Sequence, residues 1–226
     1  MTSTPHRVQR LPRAQRRAQL LQAAQAVFVR KGYHAAAMED IADEAGVSKP
    51  VLSQLFPGKL ELYLALLESE CDRLESLVLE ALDSTDDHKD RVYATIAAFF
   101  EFVGDKGEAF RLVFESDLTG DSRVRHRIDA LEAQLGDAIS HRIAQDTGLP
   151  KSFSDLLGVT LAGMSQVSAR AWLAHSATIP QADAALAAGH LAWRGLSSYP
   201  SQATLRGGAG AEAGEGGAAG GGDGGA

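Results

Sequence analysis

Lys49, Val51, Ser53 and Gln54 lie close together in the chain, with Leu52 and Phe56 set among them four residues apart. At helical spacing Leu52 and Phe56 turn inward and the other four turn outward. The outward set has one coherent chemistry. A carboxamide such as Gln54 pairs with the edge of adenine, the Lys49 ammonium suits guanine or a phosphate, and the Val51 methyls suit the methyl of thymine. The Ser53 hydroxyl can donate to a phosphate, and Lys59, with the start of the helix that follows it, can hold another. Arg13 and Arg17, one helical turn apart upstream, add two more phosphate-holding cations.

The segment that must position these groups runs from Met38 to Phe56. Ala42 is small enough for two helices to cross closely, and Gly46, four residues on, permits the positive φ of a tight turn. Ser48 is placed to N-cap the next helix, with Pro50 in its first turn, where a missing N–H costs little. Such a segment is a helix-turn-helix whose second helix can enter a major groove. An ordinary helical hairpin shares the Ala–Gly pair, and the surrounding charge separates the two readings. Residues 1–60 carry nine basic and four acidic side chains, whereas the whole chain has a net charge of −7. A basic head on an acidic body suggests that one end meets a polyanion.

Enzyme chemistry finds little support. There is no Glu-x-x-His, His-Glu-x-x-His, Gly-x-Ser-x-Gly or Gly-Lys-[Ser/Thr] motif, and no metal or cofactor is expected. Cys71, the only cysteine, lies on an apolar seam and reads as a core thiol rather than a nucleophile. The basic start lacks the apolar core of a signal peptide, and Tyr93 to Val103 is too short to cross a bilayer, so a cytoplasmic protein with no membrane partner is expected.

Around the helix-turn-helix, apolar residues recur with helical period and never with sustained alternation, which predicts an all-α protein of nine helices. Leu20, Ala24, Val27 and Phe28 form the first stripe, ended by Gly32. Leu64, Leu67, Cys71, Leu74, Val78 and Leu82 form the long fourth. Phe110, Val113, Phe114 and Leu118 would form the sixth. After Pro150 come Phe153, Leu156, Leu157, Met164 and Trp172, and after Pro180 come Leu186, His190 and Trp193. The expected organisation is a basic arm at 1–12, a helix-turn-helix domain at 13–58, a ligand-binding and dimerisation body at 59–200, and a disordered tail at 201–226. The last twenty residues hold 11 Gly and 6 Ala, a composition unable to offset its own ordering entropy.

The stretch RRAQLLQAAQAVFVRKGYHAAAMEDIADEAGVSKPVLSQLFPGKLELYLALL (Arg16 to Leu67) resembles the DNA-binding head of the TetR family of one-component regulators. Ala24, Phe28, Gly32-Tyr33, Asp40-Ile41-Ala42, Ala45-Gly46-Val47-Ser48, Phe56, Lys59 and Leu62 carry the resemblance. It implies a homodimer joined by the last two helices, a ligand cavity in each body and ligand-controlled binding to a near-palindromic operator in double-stranded DNA, with repression the commoner sign. Gly158, Ala162, Gly163, Ala185, Ala188, Gly189 and Ala192 suit that seam as small residues. The pieces SKPVL, GKLELYLALL, RLVFESD and AWRGLS further resemble actinobacterial TetR-type regulators of fatty-acid synthesis, which implies a long-chain acyl-CoA effector.

Three positions depart from the family pattern. Ala36 and Ala37 replace a usual Thr or Ser before the second helix, Ser53 a usual Tyr, and Leu55 a frequent His or Tyr. Each change removes a group that commonly holds phosphate, so a dimeric carrier that has lost DNA binding is the competing reading. In the body, Phe99, Phe100, Phe110, Phe114, Leu131, Leu135, Met164 and Trp172 either pack a core or line an elongated apolar cavity. Arg170 either holds an anionic group at its mouth or pairs with an acid at the seam.

Overall fold

The computed structural model describes residues 12–104, 118 and 120–197. Among these there are eight helices and no strand: α1 (Arg13–Ala35), α2 (Met38–Glu44), α3 (Lys49–Leu55), α4 (Lys59–Asp83), α5 (His88–Gly104), α6 (Ser122–Thr147), α7 (Lys151–Leu173) and α8 (Gln181–Ser197). The all-α expectation is met. The helix expected around Phe110 to Leu118 falls, apart from Leu118, outside the described residues, as do most of the basic arm and the Gly/Ala-rich tail.

Local chemistry sets most boundaries. Helical geometry in α1 breaks at Gly32, whose φ of 73° lies in the left-handed region. The α2–α3 turn closes as a Schellman motif: Val47 N–H donates to Ala42 O at 2.9 Å, Gly46 N–H donates to Asp43 O at 3.0 Å, and Gly46 takes φ 64°. Asp87 caps α5 by accepting the Asp90 N–H at 2.9 Å, and Asp121 caps α6 by accepting the Arg123 N–H at 2.9 Å. That last N–H is the main reason the Asp121 carboxyl sits below the usual range. Gly148, at φ 68°, ends α6.

One apolar core runs through head and body. In the head Leu20, Ala24, Val27 and Phe28 of α1 pack with Ile41, Leu52 and Phe56. Along α4 the core also takes Leu62, Tyr63 and Leu66, whereas Leu64 is only partly buried. The start of α4 thus turns a broader apolar surface inward than the single stripe predicts, as a helix touching both head and body must. Ion pairs then tie α4 to α6: Arg127 reaches Glu68 at 2.5 Å and Asp72 at 2.9 Å, and Arg142 pairs with Asp83.

The last two helices depart from their expected register. On α7 the buried face is Ser154, Gly158, Leu161, Ser165 and Ala169, while Leu156, Val159 and Val167 are 63%, 62% and 65% exposed. On α8 Ala185, Gly189 and Ala192 are buried, and Leu186 and Leu191 are 51% and 70% exposed. Close approach is the cause. A Cβ on Gly158 would stand 2.5 Å from Gly136 O and 2.8 Å from Ser140 N of α6, and one on Gly189 would stand 2.7 Å from the Tyr93 ring of α5. Gly158 and Gly189, expected as seam residues, therefore serve packing within the chain, and the larger apolar side chains are left outside.

Candidate nucleic-acid interface and effector clefts

α3 is held by the Schellman turn at one end and by buried Leu52 and Phe56 on its inner face. Ser48, Lys49, Pro50, Ser53 and Gln54 are exposed, and Val51 is half-buried. Ser48 occupies the N-cap position and its carbonyl accepts the Val51 and Leu52 N–H groups at 3.0 and 3.2 Å, but its hydroxyl makes no cap bond. The side-chain cap expected from sequence is absent, which leaves that hydroxyl facing outward with Lys49. Arg13 and Arg16 of α1 meet Val51, Gln54 and Leu55 of α3 around a surface cleft of about 350 Å³. Arg17 lies with its guanidinium 5.6 Å from the centre of the Phe56 ring, a cation–π contact that holds it against the same end of the head.

Not every head cation is equally available. Lys49 pairs with Glu39, Lys31 with Asp40 at 2.8 Å, and Arg30 with Glu44 at 2.9 Å, so three acids of α2 neutralise three cations around it. Lysine hydrogen bonds accordingly hold the Glu39 and Asp40 carboxyls below the usual carboxylate range. Asp40 also accepts the Ala37 N–H at 3.0 Å. This supplies one half of a capping box, while Ala37 lacks the oxygen for the other half. Arg13, Arg16 and Arg17 have no ion pair among the described residues, and they stand where α1 and α3 converge. Lys59 is different: its ammonium donates to Tyr33 O at 2.9 Å, His34 O at 3.2 Å and Ala36 O at 2.8 Å. Sequence reasoning assigned it a phosphate and missed these partners, because carbonyls leave no mark on residue type.

In the body the candidate ligand residues divide. Phe100 and Trp172 line a cleft of about 420 Å³ between α5, α7 and α8, with Ala171, Ile179, Ala184, Ala188 and Leu191 as apolar walls. The Trp172 indole N–H donates to Ile179 O at 2.8 Å, and its ring sits 6.0 Å from Phe100. Phe99 and Leu135 line a second cleft of about 140 Å³ with Val159, Ala162 and Gly163. Leu131 is a fully buried core residue, Met164 is half-buried, and Arg170 is exposed and lines neither cleft. Phe110 and Phe114 lie outside the described residues. Cys71 is buried, and burial pushes its thiol up to about 12, so it is no nucleophile at neutral pH.

Residues 20–66 match the description "Bacterial regulatory proteins, tetR family". Over 191 residues, 84% of this chain and 87% of the relative, the sequence is 44% identical to the HTH-type transcriptional activator FasR of Mycolicibacterium smegmatis. The chain belongs to the TetR family. A TetR-like transcriptional regulator from Rhodococcus sp. RHA1 shares the fold with a TM-score of 0.65 at 28% identity, covering 84% of this chain and 100% of that one. FadR from Bacillus subtilis, solved in complex with stearoyl-CoA, matches with a TM-score of 0.66 at 15% identity over 77% of this chain and 96% of its own. As a TetR-family member the chain is a helix-turn-helix transcriptional regulator. The similarity to the FasR relative extends well beyond the head and across most of the body, as the resemblance to regulators of fatty-acid synthesis implies. No helix among the described residues is long and apolar enough to cross a membrane.

Proposed function

We propose that this TetR-family regulator acts in the cytoplasm as a homodimer on a near-palindromic operator and that a long-chain acyl-CoA adjusts its grip on DNA. The observation that carries the reading is the convergence of Arg13 and Arg16 with Val51 and Gln54 on one face of the head. Gln54 reads adenine and Val51 thymine, while Arg13, Arg16 and Arg17 hold phosphates. Lys49 reaches guanine or phosphate by exchanging its Glu39 partner for the more strongly charged duplex.

The dimer reading draws on the outward faces of α7 and α8, where Leu156, Val159, Val167, Leu186 and Leu191 stand exposed together. Such a patch marks an interface, and the same surface on a second copy supplies the apolar complement that a two-fold axis demands. For the effector, the cleft beside Phe100 and Trp172 falls within the range of about 300–1,000 Å³ usual for small-molecule sites, while the one at Phe99 is too small alone. The FadR complex illustrates that a fold of this kind can hold stearoyl-CoA. The name of the FasR relative favours activation as the sign of regulation over the repression commoner in the family.

The test is to titrate acyl-CoAs of increasing chain length against the protein bound to DNA it has selected from its own genome. A response that grows with chain length and is blunted by Trp172→Ala supports the proposal. No change at any length rejects the effector.

A further inference from the structure

We propose that Lys59 is a positioning residue that clamps the DNA-reading head to α4, rather than a phosphate contact. A lysine in the first turn of α4 is misplaced for that helix, whose N-terminal end carries partial positive charge. Its ammonium reaches instead to the segment where α1 ends. There the helix has broken at Gly32, and carbonyls 33, 34 and 36 lack the partners that a continuing helix would give them. An ammonium has three donors. All three are engaged, at 2.9, 3.2 and 2.8 Å, and the Tyr33 ring centre lies 4.6 Å away on another side. No donor is left for a phosphate without giving up one of these bonds.

What the clamp joins gives it consequence. The segment 33–36 leads directly into α2, and Lys31–Asp40 at 2.8 Å with the Ala37 N–H to Asp40 bond ties the start of α2 to it. The Schellman turn then fixes α3 to α2. Tyr33 also packs edge-on against Tyr63 of α4, with ring centres 5.2 Å apart. On the body side Glu61 of α4 stands 4.0 Å from Arg123 of α6. A shift of α4 is therefore delivered to the recognition helix through one ammonium and the three carbonyls that it gathers.

The inference rests on the DNA-binding reading, and its test separates the two. Full-length protein, with and without Lys59→Met, is measured on its selected operator and on a version widened by two base pairs, across a range of salt. The clamp predicts an unchanged slope of log affinity against log salt, and at least about a fivefold loss of discrimination between the two duplexes. A slope shallower by about one, with discrimination intact, means a lost phosphate contact and overturns the proposal. Tyr33→Leu keeps the ammonium and the carbonyls but removes the ring, so it guards against misfolding of the first variant. The clamp predicts weakened discrimination there too, and unaltered discrimination in that variant contradicts it. If the wild-type protein ignores the widening, the dimeric operator reading has failed, and the salt slope of Lys59→Met still decides for or against the clamp.

Discussion

At the scale of single residues, two backbone positions and one thiol give direct tests. Gly46 sits at φ 64° with open space where a Cβ would go, so Gly46→Ala meets conformational strain and no clash. It should cost about 1–2 kcal/mol in denaturant unfolding. Cys71 should resist thiol reagents in the native protein and react as soon as the chain unfolds, because burial holds it protonated. Its folded value lies above its unfolded one, so its contribution to stability is complete below about pH 8.5 and is lost as pH rises toward the folded value. The head titrates in the opposite sense. Glu39 and Asp40 are depressed by Lys49 and Lys31, so their contribution is present above about pH 4 and fades as pH falls through their lower folded values. Gly46, the outward set on α3 and the core thiol were all legible from residue type and spacing. The three carbonyls around Lys59 were not, since backbone partners depend on where a helix breaks in space.

Among the elements, α7 and α8 teach most about what a sequence conceals. Both contain large apolar residues at helical spacing, and hydrophobicity alone turns these inward. In the structure the small residues face in, because Gly158 crosses α6 and Gly189 meets Tyr93 at distances that only a missing Cβ allows. Apolar periodicity gives the helix but cannot tell a face covered by its own chain from one covered by a second copy. Gly158→Ala should therefore push α7 off α6 and destabilise the protein by about 1–3 kcal/mol, read as a lowered thermal midpoint. For α3 the reading was simpler, since one inward face and one outward face are enough. The candidate effector residues were less legible: Phe99 and Phe100 are neighbours in sequence, yet they line different clefts.

For the whole molecule, charge and apolar surface divide the labour. The head gathers Arg13, Arg16 and Arg17 at the base of α3, while the far side of the body presents Leu156, Val159, Val167 and Leu191. Replacing Val167 and Leu191 together by Glu should convert the dimer to a monomer in sedimentation. Folding should be unaffected, because both side chains are exposed on the single chain. Operator affinity should then fall by about 10²-fold or more, since two linked heads bind far better than one. The central claim is that this TetR-family chain reads a specific two-fold site. Sequencing the genomic fragments that the purified protein retains at moderate salt tests it most directly. The expected result is a small set of fragments sharing a near-palindrome, with half-sites about one helical turn apart or somewhat more. Retention of fragments with no shared sequence, or of none, would contradict it.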